Sequence, residues 1–203
     1  TLAQGLTELE IDPAPDLLDK LNCYLELLDK WNRAFNLTAV KDHEERIAKH
    51  ILDSLSIAHH LGRGSLLDVG TGAGLPGLII AIHESFRPVT LLDSNQKKTR
   101  FLRQACLELG LHNVTVEAAR IEDFTGVEFD NITSRAFASL KIFLDTTNDL
   151  LSPHGQWLAM KGSYPETEID EIKTMEIDQD VVSLSVPFLK AERCLIRMKP
   201  KVS

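Results

Sequence analysis

Two carboxylates and a run of glycines are the residues best spaced here for holding a nucleoside. Leu66-Leu67-Asp68-Val69-Gly70-Thr71-Gly72-Ala73-Gly74-Leu75-Pro76-Gly77 carries an apolar run into an acid, then places glycines at alternate positions before a proline and another glycine. The pattern reads as a buried strand, a tight turn and a helix start, with Pro76 where a missing N–H costs nothing. Glycines there accept positive φ and let a ligand lie against the main chain. A second apolar run, Val89-Thr90-Leu91-Leu92, ends in Asp93. That carboxylate falls at the tip of a neighbouring strand, where it can accept hydrogen bonds from ribose hydroxyls.

Gly72-Ala-Gly74-Leu-Pro-Gly77 also fits the dinucleotide fingerprint G-x-G-x-x-G. Asp68 argues against a dinucleotide, because a carboxylate beside the pyrophosphate would repel it. S-adenosylmethionine (SAM) has no phosphate; its sulfonium and ammonium would be attracted. The plainer role for Asp68 is to cap the turn or helix that follows.

Further candidates stand where other strands should end, since ligands of open α/β sheets bind outside the carboxyl ends of the strands. Ala119-Arg120-Ile121-Glu122-Asp123 offers an acid or a backbone group to an adenine amino group, or is a capped turn with solvated acids. In Thr133-Ser134-Arg135-Ala136-Phe137, an arginine just past a buried strand needs a partner. That partner is a structural carboxylate, or else Arg135 bridges cofactor and substrate. Met160-Lys161-Gly162 places a cation suited to phosphate at the rim, or a plain surface lysine. The seven histidines form no H-E-x-x-H, and neither a His/Cys cluster at ligand spacing nor a G-x-S-x-G elbow occurs, so no metal site is expected.

The elements that must position these groups follow from periodicity. Leu17, Leu18, Leu21, Tyr24, Leu25, Leu28 and Trp31 make one helical face from Pro15 to about Asn32, and Asn36–Val40 should be a loop. A second helix is expected from about Asp42 to Leu61, with Ile47, Ile51, Leu55 and Ile57 inward and Gly62-Arg-Gly64 ending it. Strands are expected at 65–70, 88–93, 113–118, 129–134 and 155–160, and helices at 76–84, 95–110, 138–150 and 165–176. This alternation implies a mostly parallel sheet covered on both faces. Val181–Val186 and Cys194–Met198 have no helix between them and should form an antiparallel hairpin at the end of the sheet. Residues 1–203 therefore read as one domain, with 1–61 a helical appendage on a 62–203 core.

The net charge of −8 opposes indiscriminate nucleic-acid binding. Its distribution is uneven: residues 1–61 hold 6 basic and 11 acidic side chains, and 62–162 hold 10 and 11. Lys97, Lys98, Arg100 and Arg103 crowd into the latter and could form a local basic face. Three unpatterned cysteines, Cys23, Cys106 and Cys194, suit a reducing compartment. No apolar run reaches the length of a membrane span and no secretory signal is visible, so a cytoplasmic protein is expected.

Together these residues resemble the RsmG family (also called GidB), bacterial methyltransferases acting on N7 of one guanosine in 16S ribosomal RNA. The resemblance is carried by Trp31-Asn32 with Asn36-Leu-Thr38, His50-Ile-Leu-Asp-Ser54, Asp68–Gly77, Leu91–Ser94 with Lys97–Leu102, Ser134–Leu140 and Met160-Lys-Gly162. It implies SAM contacts from Gly70, Leu75, Ile121, Glu122 and Arg135, with Asp93 on the ribose and Asp68 and Gly72 in the same site. It also implies that Asn36 and the basic groups Lys97, Lys98, Arg100 and Lys161 reach toward RNA. Two positions depart from the family pattern: Ile121 replaces a small residue, and Cys194 a histidine.

The expectation is a class I SAM-dependent methyltransferase, with a Rossmann-like seven-stranded sheet and an N-terminal helical extension. It would act as a monomer on 16S rRNA or a small-subunit particle and release S-adenosylhomocysteine. Guanine N7 presents a free lone pair, so no general base is required, and Arg135 and Lys161 are the positioning candidates. The rivals are a methyltransferase for a small molecule or another RNA, a nicotinamide dehydrogenase, and a regulatory module that binds SAM without turnover.

Overall fold

A computed structural model describes residues 1–135 and 137–201; Ala136, Val202 and Ser203 lie outside the described residues. Helices α1 (Leu2–Glu8) and α2 (Pro15–Phe35) lead the chain. Next come α3 (His43–Arg46), a wider π turn (Ile47–Leu52), α4 (Asp53–Leu55) and a 3-10 turn (Ala58–His60). Then follow β1 (Leu66–Val69), α5 (Gly77–His83), β2 (Val89–Leu92), α6 (Gln96–Glu108) and β3 (Val114–Glu117). After β4 (Phe129–Ser134) come α7 (Leu140–Thr147), β5 (Leu151–Lys161), α8 (Glu166–Ile172), β6 (Ile177–Ser183) and β7 (Cys194–Pro200).

The sheet order is β3-β2-β1-β4-β5-β7-β6. β1 to β5 are parallel, and β7 runs antiparallel to both β5 and β6. This is the mostly parallel seven-stranded sheet with an antiparallel terminal hairpin that the alternation predicts. Successive residues of each strand face opposite ways. Leu66 and Leu91 accordingly pack beneath α2, α5 and α6, while Leu67 and Leu92 pack with Phe143 of α7 and Ile169 of α8. Leu21, Tyr24 and Leu28 of α2 share one buried cluster with Leu78 of α5 and Phe101 of α6. The N-terminal helices are therefore part of the wall behind the β1 turn.

Two expectations about the elements need correction, and one element has no counterpart in the periodicity. The helix expected over Asp42–Leu61 is interrupted by the π turn; His50 and Ile51 of that turn and Asp53, Ser54 and Leu55 of α4 are buried. The periodicity gives no sign of α1, a short helix with Leu2 and Leu6 buried. β6 occupies Ile177–Ser183 instead of 181–186: it is an edge strand, and Asp178 and Asp180 give its first half the polarity of a loop.

Candidate active site

The turn after β1 is built from positive φ at Gly70 (66°), Gly72 (62°) and Gly74 (92°), a region that disfavours side chains. Asp68, wholly buried, ties the turn together. Its Oδ2 accepts from Thr71 Oγ1 (2.6 Å) and from the Gly77 N–H (2.7 Å), which is the capping role considered above. Its Oδ1 is buried and has no hydrogen-bond partner among the described residues. Burial pushes the Asp68 carboxyl up to about 7, against the opposing pull of those two hydrogen bonds. Asp93 braces the turn from β2: Oδ2 accepts from Gly72 N–H (2.9 Å) and Oδ1 from Asn95 N–H (2.8 Å). From behind, the buried Tyr24 of α2 donates its hydroxyl to the Ala73 carbonyl (2.8 Å).

Six main-chain donors of this turn are already committed. Gly70 and Thr71 N–H go to Leu92 O, Gly74 and Leu75 N–H to Thr71 O, Gly72 to Asp93 and Gly77 to Asp68. A pyrophosphate at a glycine turn is held by such N–H groups. With these occupied, the fingerprint match over Gly72–Gly77 does not make a dinucleotide site.

In front of the turn lies a cavity of about 280 Å³, lined by Gly70, Leu92, Asp93, Ile121, Glu122 and Phe137 among others. The residues fit a nucleoside such as that of SAM: Leu92, Ile121 and Phe137 are apolar walls, and Asp93 is a carboxylate at the strand tip. A Cβ on Gly70 would stand 3.3 Å from the Phe137 ring and narrow the cavity mouth. Gly70, Asp93, Ile121 and Glu122 are thus brought together as expected. Asp68, Gly72 and Leu75 instead form the turn behind the cavity, with Leu75 in the core.

A second cavity, of about 320 Å³, opens beside the first. Between them is a narrow gap lined by Ser134, Arg135, Phe137, Met160 and Lys161 among others. Arg135 lines this second cavity with Lys49, His50, Asp53, Lys161 and Arg193. Its Nη1 donates to Lys49 O (2.8 Å) and to Asp53 Oδ2 (3.3 Å), so the partner this arginine required is Asp53. Arg193 Nε donates to the other oxygen of Asp53 (2.9 Å). Lys161 Nζ pairs with Glu168 (2.8 Å) and Lys49 Nζ with Glu45 (2.8 Å). His50 shares a hydrogen bond with Thr38 Oγ1 (2.8 Å), and Asn32 Oδ1 accepts from Thr38 N–H (2.8 Å), so the 36–40 loop closes one side. Burial, reinforced by Arg135, lowers the His50 pKa to about 4 and keeps the imidazole neutral.

The remaining RNA candidates are spread out. Asn36 is exposed in the left-handed conformation that caps α2. Lys97 and Arg100 are exposed on α6, but Lys98 turns to Asp93, 3.7 Å away. Lys49, His50, Asp53, Arg193 and Tyr24 are not among the site residues expected from the sequence. For His50 and Asp53 a signal exists: polar residues interleaved with Ile47, Ile51 and Leu55 on a segment that must be largely buried.

Residues 17–196 match the family model of GidB, described as rRNA small subunit methyltransferase G. The chain is 48% identical over 198 residues to a ribosomal RNA small subunit methyltransferase G of Chromohalobacter salexigens, covering 98% of this chain and 95% of that one. It is 46% identical to the protein of the same name from a Psychrobacter species, covering 97% and 89%. Among solved structures, a SAM-dependent methyltransferase from Aquifex aeolicus superposes with a TM-score of 0.60 at 20% identity, over 77% of this chain and 94% of that one. Coclaurine N-methyltransferase, solved with N-methylheliamine and SAH, gives 0.58 at 15% identity over 80% and 58%. These two likenesses show the class I methyltransferase fold. The match over nearly the whole chain, on a sheet with paired cavities at its carboxyl edge, makes this protein a member of the rRNA small subunit methyltransferase G (GidB) family.

Proposed function

We propose that this protein transfers a methyl group from SAM to N7 of a guanosine in 16S ribosomal RNA. The observation that carries the reading is the pairing of two cavities at the carboxyl edge of the sheet. One has apolar walls and the strand-tip carboxylate of Asp93; the other is lined by Lys49, Arg135, Lys161 and Arg193. When bound, SAM supplies an electrophilic methyl group on its sulfonium. Asp93 keeps acceptor capacity on both oxygens beyond the Gly72 and Asn95 N–H groups, enough for two ribose hydroxyls. Ile121 and Phe137 would hold the base, Glu122 would offer an acceptor to its polar edge, and Gly70 leaves the cavity mouth open.

The second cavity would position the RNA. Guanine N7 is an unprotonated acceptor, so the protein's task is orientation and electrostatics, not proton removal. His50, whose pKa burial lowers to about 4, would be too weak a proton acceptor to serve as an efficient base near neutral pH, in keeping with a reaction that needs none. A cavity in which two arginines share one buried carboxylate keeps a net positive charge and suits a polyanion better than a neutral small molecule, which favours RNA over the small-molecule alternative.

In this reading residues 1–61 belong to the same working unit as 62–203, because the 36–40 loop and the π turn complete the RNA cavity. The protein would work as a cytoplasmic monomer on rRNA or a small-subunit particle; none of its described helices is long and apolar enough to cross a membrane. The test is methylation of small-subunit rRNA from cells lacking the gene, with methyl-labelled SAM and mapping of N7-methylguanosine by site-selective cleavage. Label at one guanine N7 is expected. Label on an exocyclic amine or ribose, or none on small-subunit RNA, would overturn the proposal.

A further inference from the structure

Asp53 is 3% exposed, yet it carries no structural partner from its own helix. Its two oxygens are taken by guanidiniums from distant parts of the chain: Arg135, just past β4, and Arg193, just before β7. A buried carboxylate shared by two arginines leaves one positive charge unmatched. The lysines of the same cavity do not add to this surplus, since Lys49 and Lys161 have Glu45 and Glu168. The excess charge is therefore localised at the Arg135–Asp53–Arg193 bracket. Both arginines are largely covered, with side chains 27% and 23% exposed, so the surplus is poorly screened by water.

The donors left over point to the chemistry of the missing anion. Among the described residues, hydrogen bonds engage only Nη1 of Arg135, and Nε and Nη1 of Arg193. A guanidinium has five N–H donors in a planar fork, so each arginine keeps several for a ligand. Such forks match phosphate oxygens, and they also match the O6/N7 edge of guanine. The second option conflicts with the proposed reaction, because an arginine on that edge would cover the atom to be methylated.

We propose that the Arg135–Asp53–Arg193 bracket is a phosphodiester-binding site that grips the RNA backbone beside the target guanosine, with Asp53 as its positioning residue. This rests on the proposed function and deepens it. Asp53 touches no RNA itself; it spaces the two forks, with Lys49 O as a further tether on Arg135.

The test exploits a sign. Asp53→Asn removes a negative charge from an RNA-facing cavity, so simple electrostatics predicts tighter RNA binding. The bracket predicts the reverse. Binding of small-subunit rRNA, and of a single-stranded oligouridylate of about 12 nucleotides, would be followed by fluorescence anisotropy across a salt series. For Asp53→Asn we expect at least roughly tenfold weaker binding to both RNAs. The log–log salt slope should also be shallower by about 0.7 to 0.9 for each phosphate that is no longer held. Arg193→Gln, which leaves the buried carboxylate with Arg135, should weaken both RNAs in the same direction and serves if Asp53→Asn does not fold. SAM titration and the thermal midpoint report folding independently, and SAM affinity should hold within about twofold. Tighter binding by Asp53→Asn, an unchanged slope in Arg193→Gln, or weakening on rRNA with none on oligouridylate would each overturn the bracket. Failure of the wild-type protein to methylate small-subunit rRNA would instead fall on the proposed function.

Discussion

Removing one hydroxyl from α2 should loosen the cofactor turn at a distance. Tyr24 is fully buried, its ring is 6.2 Å from that of Phe101, and its hydroxyl donates to the carbonyl of Ala73, between Gly72 and Gly74. Tyr24→Phe keeps the ring and its packing, so no cavity larger than an oxygen is made. What disappears is one hydrogen bond, and the Ala73 carbonyl is left buried without that donor. A net bond is worth about 1 kcal/mol and an orphaned buried acceptor costs about 1–3 kcal/mol, so destabilisation should fall within about 1–3 kcal/mol. At about 2–4 °C per kcal/mol for a chain of this size, the thermal midpoint should drop visibly. Burial holds the Tyr24 phenol well above its ordinary pKa, so the hydroxyl keeps its proton and the effect should be independent of pH around neutrality. Gly72 ties the turn to Asp93, so slack at Ala73 should reach this proposed ribose carboxylate and weaken SAM by about three- to tenfold, or about 0.7–1.4 kcal/mol. Urea unfolding with and without SAM, together with calorimetric titration, measures both quantities. A variant as stable as wild type, with unchanged SAM affinity, would show that the hydroxyl does not hold the turn and refute the reasoning.

Asp68 gives a pH prediction. Its folded-state pKa, about 7 against an ordinary 3.8, means the folded protein binds the proton more tightly, so its contribution is fully present below 3.8 and lost as pH rises through 7. The shift corresponds to roughly 4 kcal/mol. Asp68→Asn can still accept from Gly77 and Thr71; its stability relative to wild type should therefore rise between about pH 5 and about pH 8, and a difference constant across urea midpoints at the two pH values would exclude the assignment. Asp93→Asn should weaken SAM by about 1.5–3 kcal/mol, the range for hydrogen bonds to a charged group, while the protein stays folded; wild-type affinity in the calorimeter would remove Asp93 from the ribose. Finally, the single-turnover rate with saturating SAM and rRNA should be nearly flat from about pH 6.5 to 8.5: His50 titrates well below that window, and Asp68, which titrates within it, is turned into the loop and lines neither cavity. A roughly tenfold rise abolished by mutating one histidine or carboxylate would reveal a base and count against N7 as the target.

What the sequence determined by itself is what local spacing encodes. Glycines at 70, 72 and 74 after the run Leu66-Leu67-Asp68-Val69, an acid at 93 ending the next largely apolar run, and strand–helix alternation are all short-range patterns. They put the glycine turn, Asp93 and the 119–123 segment at strand tips that line one cavity, because strand tips of a parallel sheet converge whatever the loops do; the choice of Gly70, Ile121 and Glu122 within them came from the family resemblance. The patterns could not say which way a carboxylate faces: Asp68 is turned into the loop by Thr71 and Gly77, a matter of backbone path. Nor could they find the second cavity. Asp53 meets Arg135 and Arg193 across 82 and 140 residues, and only the sheet order β4-β5-β7 brings those arginines to the π turn. Ion pairs of that kind leave no periodicity in the chain. They are decided when strands distant in sequence become neighbours, and the low dielectric of the interior then makes each buried charge demand its partner.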